Sequence, residues 1–97
     1  MTILDSVQQT IRVHQPALAK QFFVRRLGVF GSVARNMQSE ASDIDMLVEF
    51  TQPVSMFQFL ALGQKLSDLL GRKIDLVTPD ALKAAIKESV LKEAVYV

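Results

Sequence analysis

Between Asp43 and Phe50 the sequence alternates cleanly, with Ile44, Met46, Val48 and Phe50 on one side and Asp43, Asp45, Leu47 and Glu49 on the other. A period of two is that of a β-strand, whose successive side chains point to opposite faces. One face of this strand is apolar and asks for a covering layer; the other carries carboxylates. The rest of the chain has to be read around that division.

The neighbouring segments supply more strands and the helices to cover them. Val24 to Phe30 reads as a strand ending at Gly31, and Ser32 to Arg35 can open a helical turn. Met37 to Ala41 is polar enough for a surface loop, and Lys73 to Val77 reads as a third strand. Leu4, Val7 and Ile11 recur at helical spacing from Thr2 to about His14, where Pro16 is expected to interrupt. Thr2 with Asp5 resembles a capping box, and a short second helical stretch is expected over Ala17 to Gln21. Ser55 with Gln58 forms another box, opening a helix to about Leu70 with a stripe of Phe59, Leu62, Leu66, Leu69 and Leu70, closed by Gly71. Thr78-Pro79 reads as an N-cap and first helical position, and the last helix then carries Leu82, Ala85, Ile86 and Val90. The order implies an α/β fold, a small mixed sheet of about three strands packed with helices.

With 97 residues there is material for a single domain spanning 1–97, near the size at which a partner subunit helps stability. Hydrophobic residues make up 49%, which excludes a disordered tail. Lys and Arg number 11 against 10 Asp and Glu, so there is no strong basic field for nucleic acid. Cysteine is absent and histidine occurs once, which removes disulfides, thiolate sites and His-rich zinc sites. No segment reads as a signal peptide or a membrane span, so a cytoplasmic protein is expected.

The chemistry lies on the acidic face. Asp43 and Asp45, two apart on a strand, can reach one cation, and Mg²⁺ takes oxygen ligands from one or two carboxylates plus substrate phosphates. Alone, Asp-x-Asp reads as the wet face of a half-exposed sheet. Asp75 changes the balance, because it interrupts the apolar run Ile74-Asp75-Leu76-Val77. If its strand neighbours that of Asp45, three carboxylates converge, and they repel unless cations neutralise them. Gly31-Ser32 alone is a turn that ends a strand. Upstream of an acidic strand it can also bring backbone close to a phosphate, with the Ser32 hydroxyl adding a hydrogen bond.

Gly31-Ser32-Val33-Ala34-Arg35 followed by Ser42-Asp43-Ile44-Asp45-Met46-Leu47-Val48-Glu49-Phe50 closely resembles the signature of the minimal nucleotidyltransferase (MNT) domains, of the DNA polymerase β-like superfamily. Ile74-Asp75-Leu76-Val77 is similar to the segment carrying that family's third acidic residue, and Glu93-Ala94-Val95-Tyr96-Val97 to its usual terminus. The resemblance implies that Gly31 and Ser32 hold the triphosphate of ATP and that Asp43, Asp45 and Asp75 form the catalytic and Mg²⁺-ligating set. It gives Arg35 a place in the loop or at a phosphate. Asn36 stands where the family often has glycine; asparagine tolerates a left-handed backbone better than most residues.

Small MNT proteins resemble the MntA-type antitoxins of toxin–antitoxin pairs whose toxin is a HEPN-domain ribonuclease. The resemblance implies transfer of AMP to a tyrosine of that partner. The alternative is an antitoxin that neutralises by binding and occlusion with little catalysis. Transfer to an RNA end or an antibiotic would use the same site but normally with extra domains to hold the acceptor. Glu49, two residues beyond Asp45 on its face, is left out of the metal set. His14, Arg25, Arg26, Lys83, Lys87, Lys92 and Tyr96 read as surface or packing residues.

Overall fold

The computed structural model describes residues 2–34 and 43–97. Among these residues, four helices and four strands follow in the order α1 (Ile3–Phe22), β1 (Val24–Phe30), α2 (Gly31–Ala34), β2 (Ile44–Phe50), α3 (Met56–Leu70), β3 (Ile74–Val77), α4 (Ala84–Glu93) and β4 (Val95–Tyr96), with a 3-10 turn at Pro79–Ala81 before α4. The strands form one mixed sheet in the order β3-β2-β1-β4, in which β1 is antiparallel to β2 and β4 while β2 and β3 run parallel. The α/β class follows from the sequence as expected, and β4 is an addition to the three strands read there. With only two residues, β4 has too short a pattern to register in a search for alternation.

One face of the sheet holds the core. Ile44, Met46 and Val48 of β2 pack with Leu27 and Val29 of β1, with Val7, Ile11 and Leu18 of α1, and with Leu62 and Leu66 of α3. Val24 belongs to the same cluster although it stands three positions before Leu27, an odd offset on a strand. The register explains this: Val24 pairs with Phe50 and Arg26 with Glu49, so Arg25 is an extra residue that shifts the phase of the strand. Arg25 and Arg26 are consequently both exposed, as a solvated flank should be.

Both capping boxes form. Thr2 and Asp5 exchange hydrogen bonds at the start of α1, and Ser55 and Gln58 at the start of α3. Gly71 closes α3 in the left-handed conformation, at φ 66°. The backbone N–H of Thr2 donates to the Asp5 carboxylate and holds its pKa below the ordinary value. This contribution to stability is present above the ordinary carboxylate range and is lost as pH falls through the lowered value.

Pro16 does not interrupt the first helix, which runs from Ile3 to Phe22 with the proline inside it. Val7, Ile11 and Leu18 are buried along one continuous face across that position, whereas Arg12 and Pro16 are exposed. Proline removes the hydrogen bond to the carbonyl four residues back, here that of Arg12, and on the wet side water can satisfy it. Packing on both sides of the proline carries the helix through. The end of the chain also departs from expectation. Thr78-Pro79 opens only the 3-10 turn, Leu82 is extended (φ −76°, ψ 136°), and the helix restarts at Ala84. Ala85 and Ile86 are exposed, so the expected apolar stripe of the last helix reduces to Val90.

Since Pro16 sits in an exposed helix interior at the cost of one backbone hydrogen bond, Pro16→Ala is expected to raise unfolding free energy by about 2 kcal/mol, after allowing for the freer unfolded chain. Urea unfolding with unchanged slope checks this; a destabilised variant would mean that the proline is needed where it stands.

Candidate active site

The face of the sheet opposite the main core begins at the N-terminal end of β2. Asp45 pairs in parallel register with Asp75 of β3 and in antiparallel register with Phe30 of β1. Register partners share a face, and neighbouring strands lie about 4.8 Å apart, so the two carboxylates leave the sheet side by side. Their placement follows from the alternation on each strand: Ile44 and Met46 point into the core and Ile74 and Leu76 pack against it, which turns Asp45 and Asp75 the other way. Asp45 is half-buried and Asp75 exposed.

Phe30 gives way directly to Gly31, the first residue of the short turn α2. Gly31 has φ 72°, and a Cβ built there would overlap the Asp45 carboxylate at Oδ2 and stand 3.1 Å from its Cγ. Two independent constraints therefore demand glycine: the left-handed backbone and the closeness of Asp45. Val33, fully buried in the main core, pins the turn from below. Gly31 and Asp45 thus come together from separate strands, held by packing rather than by the loop alone. Ser32 lies in the same turn. Arg35 and Asn36 fall outside the described residues, as does the Met37–Ala41 segment read as a loop.

Asp43 lies just before β2 and is exposed. Its Oδ2 is 3.9 Å from Lys73 Nζ, with side chains 46% and 82% exposed, a contact worth about 0–1 kcal/mol at the surface. The three aspartates are therefore a register pair with Asp43 two residues upstream. Among the described residues, no group of three or more His, Cys, Asp and Glu side chains is gathered closely enough to hold a metal ion. The donor set itself is all carboxylate oxygen, which suits a small hard cation such as Mg²⁺, with remaining positions completed by phosphate and water.

The same face changes character further along β2. Leu47 is fully buried on it, with Gly28 as its partner on β1. Beyond it, Arg26 Nε donates to Glu49 Oε2 at 2.6 Å, and the Arg26 guanidinium lies 3.9 Å from the centre of the Tyr96 ring. The bond to Glu49 raises the Arg26 pKa. Tyr96 packs over Gly28, where an added Cβ would come within 3.1 Å of the ring. Glu49 is thus committed to an ion pair on the far side of a buried leucine from Asp45. Its pairing with Arg26, the seating of β4 and the place of Phe30 beside Asp45 depend on the register between strands, which sequence alternation alone does not supply.

The sequence profile of the nucleotidyltransferase domain matches residues 12–97. The chain belongs to the nucleotidyltransferase family. This nucleotidyltransferase is 40% identical over 97 residues to the protein adenylyltransferase MntA of Thermococcus cleftensis, covering 100% of this chain and 98% of that one. It is also similar to a solved structure described as a minimal nucleotidyltransferase, with a TM-score of 0.81 and 33% identity over 98% of this chain and 95% of the other. A Shewanella oneidensis complex of a tri-AMPylated HEPN toxin with an MNT antitoxin shares the fold, with a TM-score of 0.59 and 19% identity over 97% of this chain and 67% of the other. The chain is a nucleotidyltransferase enzyme using a nucleotide substrate. Among the described residues no helix is long and apolar enough to cross a membrane.

Substituting Gly31 should injure both the fold and the site. Gly31→Ala is expected to cost about 1–2 kcal/mol from its left-handed backbone alone, and to displace Asp45 as well. Denaturant unfolding together with a nucleotide-binding titration checks both effects. Wild-type stability with wild-type binding would contradict the packing described.

Proposed function

We propose that this chain transfers AMP from ATP to a protein hydroxyl, a tyrosine of a HEPN-domain toxin partner, and serves as the antitoxin of that pair. The observation that carries the proposal is Asp45 and Asp75 side by side on parallel strands, with the Asp45 carboxylate filling the space where Gly31 lacks a Cβ. That arrangement brings carboxylates and a turn suited to triphosphate within reach of one ligand. The relative named as a protein adenylyltransferase supports the reaction type, and the complex described as an AMPylated HEPN toxin with an MNT antitoxin supports the acceptor and the role.

Gly31 and Ser32 hold the triphosphate, with Arg35 placed beside them in the chain. Asp43 and Asp45 would hold Mg²⁺, and Asp75 stands where the acceptor arrives. Bound there, Mg²⁺ would supply positive charge against the phosphate oxygens and the leaving pyrophosphate. The acceptor oxygen attacks the α-phosphorus in line, forming the O–P bond as the bond to the bridging oxygen of pyrophosphate breaks. Asp75 orients the acceptor hydroxyl and takes its proton. Positioning and charge stabilisation dominate such a reaction, which fits a domain with few residues to spare for covalent chemistry.

A second reading, neutralisation by occlusion, has an observation of its own. Phe57, Met56 and Leu60 on α3 are 85%, 69% and 59% exposed, an apolar patch suited to a protein partner. The double variant Asp43→Asn, Asp45→Asn separates the readings. With ATP, Mg²⁺ and the product of the neighbouring gene, the parent chain should add AMP to that product, seen by intact mass, and the variant should lose this by a factor of about 10³ or more while still binding it. Protection of cells by the variant equal to that of the parent would favour occlusion. An unmodified toxin with the folded parent chain would count against transfer altogether.

A further inference from the structure

Among the described residues β3 is an edge strand of the sheet, and its outer side lies beside the proposed site. The backbone N–H of Ile44 donates to the carbonyl of Lys73 at 3.0 Å. In a parallel ladder the bonding residues alternate, so Lys73, Asp75 and Val77 direct their backbone groups at β2. The N–H and C=O of Ile74 and Leu76 therefore point outward. Such a row of backbone groups is a template for one more strand.

A groove of about 350 Å³ runs along this edge, between β3 and α3. Phe59, Leu60, Gly63, Gln64 and Ser67 line its α3 side, and Ile74, Asp75 and Leu76 its β3 side. Gly63 gives it depth: a Cβ there would meet only the Leu76 side chain, at 4.0 Å. The exposed Phe57 and Leu60 continue the apolar surface out of the groove. Edge, groove and Asp75 thus form one continuous surface.

Resting on the functional reading above, we infer that the acceptor polypeptide enters in extended form and pairs antiparallel with the open edge of β3, with a hydroxyl residue beside Asp75 and an apolar residue on each side of it seated in the groove against α3. The alternation of a strand dictates this pattern. A residue beside Asp75 shares its face and reaches the carboxylates; its two neighbours share the face of Ile74 and Leu76, which is the face that α3 covers. Main-chain hydrogen bonds would then supply affinity, and the apolar neighbours would select the sequence. A helical segment presenting the same hydroxyl could not satisfy the Ile74 and Leu76 backbone groups.

The probe is a synthetic seven-residue peptide with blocked ends and a central tyrosine flanked by valines, set against the same peptide with both valines N-methylated. Neither ATP nor Mg²⁺ is needed for the primary reading. Saturating valine peptide should shift the Ile74 and Leu76 amide NMR signals and slow their hydrogen exchange. The N-methylated peptide, lacking two donors, should bind about tenfold more weakly or worse. Gly63→Leu, which fills the groove, should weaken the valine peptide similarly while its thermal midpoint and ATP binding stay those of the parent. If that variant misfolds, the comparison of the two peptides on the parent chain still decides. Unmoved Ile74 and Leu76 amides, or equal binding of the two peptides, overturns the inference even if a protein acceptor is adenylylated. Amides that slow with rising concentration of the chain alone overturn it too, since the edge would then pair with a second copy. If the peptide pairs as described but no protein acceptor ever gains AMP, the edge site stands and the transferase reading of its purpose fails.

Discussion

The structure depends on the close approach of Gly31 to Asp45. Everything else in the site is arranged around the space that a missing Cβ leaves for a carboxylate. The contact joins the end of β1 to the start of β2, and the antiparallel register sets Phe30 against Asp45 immediately before it. It holds because both partners are anchored from the core side: Val33 under the turn, and Ile44 and Met46 on either side of Asp45. A polar site at the end of a sheet is thus positioned by apolar packing beneath it, which preorganises the groups before any ligand arrives.

The pairing of Asp45 with Asp75 has the opposite sign. Two carboxylates directly abreast on neighbouring strands weaken a sheet. The fold tolerates them because both sit at the wet end of the face, half-buried and exposed respectively, rather than in the middle where Leu47 is sealed in. The other charged group of that face, Glu49, is neutralised by Arg26 beneath the Tyr96 ring. The face therefore has one end where Arg26 and Glu49 pair and β4 is seated, and another where the Asp45 and Asp75 carboxylates stand abreast.

Much of this was legible in the sequence, because period-two alternation, capping boxes and a left-handed glycine are local signals. The faces of β2, the start and end of α3, and the interruption of β3 by Asp75 could all be read from residues within a few positions of one another. Features that depend on distant partners could not. Pro16 looks like a helix breaker until Val7, Ile11 and Leu18 are seen buried on one line beneath it. The last helix looks amphipathic from Leu82 onward, but the 3-10 turn at Pro79–Ala81 delays its start and leaves Ile86 in solvent. The bulge at Arg25 and the strand at Val95–Tyr96 exist only relative to their partners. In the sequence Gly31-Ser32 and the acidic strand are two motifs in order, and only the fold brings Gly31 against Asp45 as one object.

That object makes a specific demand on binding. Titrating the chain with a non-hydrolysable ATP analogue, with and without Mg²⁺, tests it without any acceptor. The account predicts that affinity rises with Mg²⁺ in the parent chain and that an Asp43→Asn, Asp45→Asn variant, folded to the same thermal midpoint, loses this rise. A variant that keeps the full Mg²⁺-dependent gain would contradict the assignment of the nucleotide site to this face.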